Sequence, residues 1–259
     1  MNETTCRKTY EEKLRPTPAQ KRLLDETLWR CRTLYNTALE QRITARQRCH
    51  ISVSRYGQEA ELKTIRAEFW EYAAIHSHSL HDVLARLDKT YQAFFHRPSR
   101  GQKAGFPRYK GRNRYHSFTF KEYGNGATLD NGFLVLSKIG RLKVHGSRPI
   151  EGVPRTVTIS KEADGWYVAI SCAEVPMHLL PETGQEETGI DLGIESFATL
   201  ADGTRILTPA CYRKPERRLK TAQRRVSRRK KGSNRRRKAV ILLARAHQHV
   251  RNQRQDFHN

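Results

Sequence analysis

Asp191 is the residue of this chain whose neighbours point most directly to chemistry. It stands in Gly-Ile-Asp-Leu-Gly-Ile between Ile190, Leu192 and Ile194, a strand-like pattern in which carboxylates are depleted. Desolvating a carboxylate is costly unless a cation accompanies it. Mg²⁺ would offset that cost, and phosphodiester hydrolysis uses two such ions roughly 4 Å apart to activate water and stabilise the leaving oxygen. The other reading is an Asp at a solvated strand end, because Asp-Leu-Gly also begins turns. The motif alone leaves both open.

A second constellation is cationic. Between residues 213 and 238 lie Arg217, Arg218, Lys220, Arg224, Arg225, Arg228, Arg229, Lys230, Lys231, Arg235, Arg236, Arg237 and Lys238. A merely solvated helix face usually intersperses acids, whereas only Glu216 interrupts this run. A surface that tracks phosphates is the better reading. A third constellation, within 106–121, mixes Phe106, Arg108, Tyr109, Lys110, Arg112, Arg114 and Tyr115. Rings that stack on bases beside cations that hold phosphates suit single-stranded or structured RNA. A basic linker whose Phe and Tyr residues anchor onto a β-barrel fits the same residues equally well. His76, His78 and His81 have no Cys or carboxylate cluster beside them and read as an interhelical linker.

Bulk composition agrees with a polyanionic partner. Lys and Arg total 49 against 26 Asp and Glu, a net charge of +23 over 259 residues. Self-repulsion of that size opposes compaction, and phosphate binding relieves it. No basic amphipathic helix with a Trp/Leu-rich face is evident, so a membrane surface is the weaker partner. The five cysteines, Cys6, Cys31, Cys49, Cys172 and Cys211, include no C-x-x-C pair and suggest neither a disulfide framework nor a zinc site. The N-terminus lacks an apolar signal segment, and no apolar run approaches a membrane span. The expectation is a soluble cytoplasmic protein without a small-molecule substrate.

The elements that must position these residues fall into three regions. Residues 6–14 suggest a short strand. Thr17, Pro18 and Gln20 form a helix start with a capping box, followed by Leu24, Leu28, Cys31, Tyr35, Ala38 and Leu39 at helical spacing. Leu62, Ile65, Phe69 and Tyr72 predict a second helix. After a polar His-Ser-His-Ser break, Leu80, Val83, Leu84, Leu87, Tyr91, Phe94 and Phe95 predict a third. Trp29, Trp70 and Trp166 read as core. From Ser117 to Cys172 short strands alternate with Asn-Gly and Asp-Gly turns, as in a small barrel that the N-terminal strand could join. Beyond a hinge at 181–187, three strands around Asp191 lead into two basic helices separated by Lys231-Gly232-Ser233. The helical pattern runs on to Asn259 without a Gly cap or Pro stop, an unusual place for a domain to end.

Four colinear stretches carry a resemblance. Gly-Ile-Asp-Leu-Gly-Ile with Ser-Phe-Ala-Thr-Leu-Ala-Asp-Gly resembles the first catalytic segment of a RuvC-type, ribonuclease H-like domain, in the form carried by the TnpB family. That family comprises transposon-encoded RNA-guided DNA endonucleases, also described as transposases and related to type V CRISPR effectors. RPTPAQKRLLDETLWRCRTLYNTALEQR resembles the family's N-terminal helix. LARLDKTYQAFFHR with GFPRYKGRNRYHSFTF resembles its central signature, and RRLKTAQRRVSRRKKGSNRRRKA its basic helical hairpin.

The resemblance implies an α+β multidomain protein. A small wedge-like β-barrel (1–15 and 105–180) would carry an inserted helical recognition domain (16–104). The first part of a RuvC, ribonuclease H-like α/β domain with its basic hairpin (185–259) would follow. It implies a guide RNA, a target DNA and Mg²⁺ in the complete enzyme, with Asp191 as the first of three metal-binding carboxylates. The other two, and the family's Cys-pair zinc ribbon, would lie beyond Asn259. Glu195 and Asp202 are poor substitutes, since both fall in or beside turns. Alone, this chain is expected not to cut. The competing readings are a truncated protein that only binds RNA or DNA, a decayed gene product, and, last, a regulator reading the major groove with the helix at 18–43.

Overall fold

The computed structural model describes residues 5–112, 114–146, 149–176, 188–207 and 213–258. The chain divides into two compact units, Met1–Met177 and His178–Asn259.

In the first unit, strand β1 (Thr5–Arg15) is followed by helix α1 (Pro18–Cys49). The Thr17 hydroxyl accepts from the Gln20 N–H at 3.3 Å while the Gln20 side chain accepts from the Thr17 N–H at 3.0 Å, the reciprocal capping box expected of this sequence. Next come α2 (Arg55–Glu68) and the one-turn α3 (Trp70–Ala73), where a single helix across 62–72 is expected. The break is at Phe69, whose φ of −115° and ψ of 101° are extended rather than helical. Helix α4 (Ser77–Ser99) begins within the His-Ser-His-Ser segment, so that segment is a helix start and not a break. His76 is the N-cap, its Nδ1 accepting from the His78 N–H at 3.3 Å.

Six further strands follow: β2 (Ser117–Phe120), β3 (Ala127–Asp130), β4 (Phe133–Leu136), β5 (Gly140–His145), β6 (Val153–Lys161) and β7 (Trp166–Pro176). With β1 they form an antiparallel, nearly closed, barrel-like sheet in the order β2-β6-β7-β1-β5-β4-β3. The Asn131-Gly132 pair takes positive φ values of 46° and 77°, the left-handed conformations that a tight two-residue hairpin between β3 and β4 requires. Alternation sets the buried face: Trp166, Val168, Ile170 and Cys172 of β7 point inward with Phe118, Phe120, Val157, Ile159, Leu134, Leu136 and Leu142.

That face and the helices share one core, to which α1 contributes Leu24, Leu28, Cys31, Tyr35 and Leu39 and α4 contributes Leu80, Val83, Leu84 and Leu87. Each fully buried side chain of this kind contributes about 1.5–3 kcal/mol. Of the three tryptophans expected inside, only Trp166 is buried; Trp29 and Trp70 are exposed, Trp70 at 74%. Helical spacing ranks faces by hydrophobicity but does not say which face finds a partner.

In the second unit, β8 (Ile190–Asp191), β9 (Ser196–Leu200) and β10 (Arg205–Leu207) form a three-stranded sheet in the order β10-β9-β8. Two helices follow, α5 (Arg213–Ser227) and α6 (Asn234–His258), packed as a hairpin on Leu219, Leu243, Ala246 and Val250. Phe257 of α6 meets Phe197 of β9 edge-on, with ring centroids 5.1 Å apart. Among the described residues, no helix is long and apolar enough to cross a membrane.

Candidate nucleic-acid interface

Asp191 ends β8, paired across the ladder with Thr199, while Ile190 pairs with Leu200. Because directly opposed residues share a face, Asp191, Thr199 and, on the far strand, Arg205 line one side of the sheet. Ile190, Ala198, Leu200 and Ile206 line the other. Asp191 is exposed, as are Ile190, Leu192 and Ile194, the last at 95%. The flanking apolar residues therefore do not desolvate the carboxylate in this chain, and of the two readings of the motif the exposure matches the solvated strand end.

Glu195 is also exposed, in the turn between β8 and β9. Asp202 caps the next turn, where the Thr204 N–H donates to its Oδ1 at 2.8 Å and holds the carboxyl below its usual range. Among the described residues, no group of three or more His, Cys, Asp or Glu is placed to hold a metal ion. The described residues do not form a two-metal centre, which needs more ligands than Asp191 alone provides.

The cationic constellation is more complete. The connection from α5 to α6 turns at Gly232 (φ 85°), and Ser233 caps α6 by accepting the Arg236 N–H at 3.2 Å. This turn folds the end of α5 back beside the start of α6. Arg224, Arg225, Arg228, Arg229, Lys230 and Arg235 consequently line one cavity of about 800 Å³ with Thr221 and Ser233. No acid is among the described residues that line it. Glu216, the lone acid of the run, pairs with Lys220 at 2.8 Å. Arg217, Arg218, Lys220, Lys231, Arg237 and Lys238 are exposed but lie outside the cavity lining, while Arg236 is half-buried and donates to the Arg229 carbonyl at 3.3 Å.

The aromatic-basic segment is held by the helices. Phe106 packs against Tyr91 and Phe94 of α4 at centroid distances of 5.9 and 5.4 Å. Asn36 of α1 brackets Lys110, accepting its N–H at 2.8 Å and donating to its carbonyl at 3.1 Å. Tyr109 donates to Glu40, and Tyr115 is buried against Tyr35. The rings thus serve as anchors, onto helices rather than onto the barrel, and Arg108, Arg112 and Arg114 remain exposed. Arg42 and Arg46 of α1, which no sequence motif singles out, line a separate groove together with Tyr91, Phe94, Phe95 and Phe106. The adjacent pair Phe94-Phe95 was the available signal, since neighbours on a helix cannot both face the core; Phe95 is 66% exposed.

Comparison with known proteins gives this arrangement a lineage. Residues 170–259 match a family model described as "Probable transposase", and residues 1–50 match one described as "Helix-turn-helix domain". A protein of Streptomyces pristinaespiralis named "Putative RNA-guided DNA endonuclease" is 35% identical over 97% of this chain and 62% of its own length. "Putative RNA-guided DNA endonuclease InsQ" of Escherichia coli K12 is 32% identical over 70% of this chain and 43% of its own length. A chain of the solved Cas12f1–sgRNA–target DNA complex aligns over 94% of this chain and 66% of its own, at 12% identity and a TM-score of 0.39, too distant to carry a conclusion.

The matches define a transposase-type protein. More particularly, the chain belongs to the TnpB family. It spans less than two-thirds of the length of either curated relative. The stretch matched as helix-turn-helix is, over its described residues, one strand and one unbroken 32-residue helix. A helix-turn-helix needs two helices joined by a short turn, and the described part of this stretch has one helix.

Proposed function

We propose that this chain is the nucleic-acid-binding part of an RNA-guided DNA endonuclease, holding a guide RNA and the target DNA paired to it. The observation that carries the reading is the hairpin cavity, where six cations converge without an acid, in a chain whose curated relatives bear that activity in their names. Residues 1–15 and 105–180 would serve as the wedge-like barrel, 16–104 as the recognition helices and 185–259 as part of a RuvC-like domain. Binding through such a cavity neutralises phosphates and releases their counterions. Guanidinium forks suit phosphate oxygens, and the capped start of α6 adds its positive end to the field. A backbone-reading surface of this kind recognises an A-form guide–target duplex by shape and leaves sequence to base pairing.

In the complete enzyme Asp191 would be the first Mg²⁺-binding carboxylate, and the ion would supply water activation and leaving-group stabilisation. The described residues do not assemble such a site, and a lone carboxylate, even a bridging one, does not complete the coordination of two ions. That observation favours a second reading, in which the chain binds RNA or DNA without cutting it. One experiment addresses both: affinity of the full chain for a hairpin RNA and for an RNA–DNA duplex across a salt series, with nicking of the duplex assayed in Mg²⁺. Binding that falls steeply with salt supports the nucleic-acid reading, and a flat response refutes it. Mg²⁺-dependent nicking abolished by Asp191→Ala would overturn the binding-only reading.

A further inference from the structure

A groove of about 650 Å³ opens in the helical part of the first unit, lined by Tyr91, Phe94, Phe95 and Phe106 and by Arg42 and Arg46. The four rings form one cluster, with Phe94 and Phe95 5.2 Å apart and Phe106 edge-on to both Tyr91 and Phe94. Phe95 and Phe106 nonetheless remain half or more exposed. Phe95 and Phe106 each rest against both Tyr91 and Phe94, so two exposed rings backed by packed ones form a platform.

Arg42 supplies an independent sign of a ligand. Its side chain is 8% exposed; Nε donates to Gln58 at 2.9 Å and Nη1 to Asp88 at 3.2 Å. Nη2 is buried with no hydrogen-bond partner among the described residues. A buried guanidinium nitrogen left unsatisfied is costly, and an acceptor entering the groove would relieve it. The guanidinium also lies over the Tyr91 ring, 5.1 Å from its centroid, which fixes its plane beside the platform.

We propose that this groove takes one unpaired nucleobase of a single-stranded RNA, stacked on the Phe95–Phe106 platform with a ring or carbonyl acceptor facing Arg42. The flat π-face and in-plane acceptors of a base match an aromatic wall beside a buried donor. Charge complementarity selects a nucleic acid over an apolar peptide: residues 96–110, which carry Phe106, include Arg97, Arg100, Lys103, Arg108 and Lys110 and no acid. Asp88, the one acid lining the groove, is already paired with Arg42. Ser52, Gln47 and Gln92 add hydroxyl and amide groups to the lining, suited to a ribose 2′-hydroxyl that both donates and accepts. The assignment rests on the chain binding nucleic acid at all, and it adds a second, base-directed site to the phosphate-directed hairpin.

The test is binding of the full chain to an oligouridine of about twelve nucleotides and to the same strand made abasic, at about 0.3 M salt to suppress phosphate contacts. The expected result is at least about fivefold tighter binding of the base-bearing strand. That preference should be lost in Phe95→Ala, a change at an exposed ring that leaves the fold intact, and restored in Phe95→Trp. Equal affinity for the two strands overturns the proposal, as does a preference that survives Phe95→Ala. The same Phe95-dependent preference of equal size on the DNA strand overturns the choice of RNA. Saturable binding of a Phe/Leu-rich peptide, abolished by Phe95→Ala and unaccompanied by base preference, would make the groove a protein-docking site instead. Binding to the abasic strand at lower salt reports the basic hairpin, so its absence would refute the nucleic-acid reading itself, separately from the groove.

Discussion

Asp191 stands directly opposite Thr199 in the antiparallel pairing of β8 with β9. Thr199 is in turn opposite Arg205 of β10. A carboxylate, a hydroxyl and a guanidinium thus form a row across three strands, with about 10 Å between the outer two. The row is polar and exposed at Asp191, so the carboxylate costs the fold little where it stands.

Replacing Asp191 should therefore be nearly silent in this chain. Asp191→Ala is expected to change unfolding free energy by no more than about 0.5 kcal/mol, as for surface substitutions generally. RNA affinity should stay equal or rise slightly as one acid is removed. Urea denaturation and fluorescence anisotropy check both, and a loss above about 1 kcal/mol would reveal a structural role for the carboxylate.

The hairpin cavity makes a quantitative prediction. Removing Arg224, Arg225 and Arg228 together as alanines should weaken RNA binding. It should also flatten the plot of log affinity against log salt by about 0.7–0.9 for each phosphate no longer neutralised. Since all three are exposed, the melting temperature should hold. An unchanged slope would place the phosphate-binding cations elsewhere.

Gly126 should resist substitution more than Gly132 does. Both have positive φ, 88° and 77°, but a Cβ on Gly126 would come within 2.6 Å of the His76 ring, whereas one on Gly132 meets nothing within 4 Å. Gly132→Ala should cost about 1–2 kcal/mol from backbone conformation alone. Gly126→Ala should cost more, because His76 is packed against Phe120 and caps α4. Paired denaturation curves decide the order.

His76 also predicts a pH dependence. Burial, then the neighbouring His78 and Arg66, push its pKa below the ordinary 6.5, with Lys138 acting in the same direction and Asn125 opposing. The unfolded chain then binds the proton more readily than the folded one. The contribution to stability is fully present above about pH 6.5 and is lost as pH falls through the depressed folded value. Relative to His76→Asn, which keeps a capping side chain without the titration, the native chain should lose melting temperature between about pH 7.5 and pH 5. Parallel melting curves for the two proteins would disprove the assignment.

What could be read from the sequence was what depends on near neighbours. The Thr17–Gln20 box and the Asn131-Gly132 hairpin are local agreements between side chain and backbone, and both stand where expected. The strand expected over 166–172 is present within β7, and its alternating burial places Trp166, Val168, Ile170 and Cys172 inward. Trp29 and Trp70 are exposed where a core position is expected, because exposure is decided by which helices pack together and not by a residue's own spacing. At the site, the cationic run was visible. Its convergence on one cavity was not, because that depends on how sharply the chain turns at Gly232. The groove at Arg42 joins residues more than sixty positions apart, and no local pattern announces it.

The place of β1 in its sheet has a consequence for how the protein is made. The strand is synthesised well before its partners β5 and β7, with Lys13 opposite His145 and Thr5 opposite Pro176. Its full pairing with β7 cannot form until Pro176 has left the ribosome. Meanwhile α1 through α4 can assemble on contacts closer in sequence, and the barrel-like sheet closes last, at the entropic cost of a long loop. During that interval β1 is an unpaired strand of the nascent chain, kept from self-association by the charges of Arg7, Lys8, Glu11, Glu12 and Lys13.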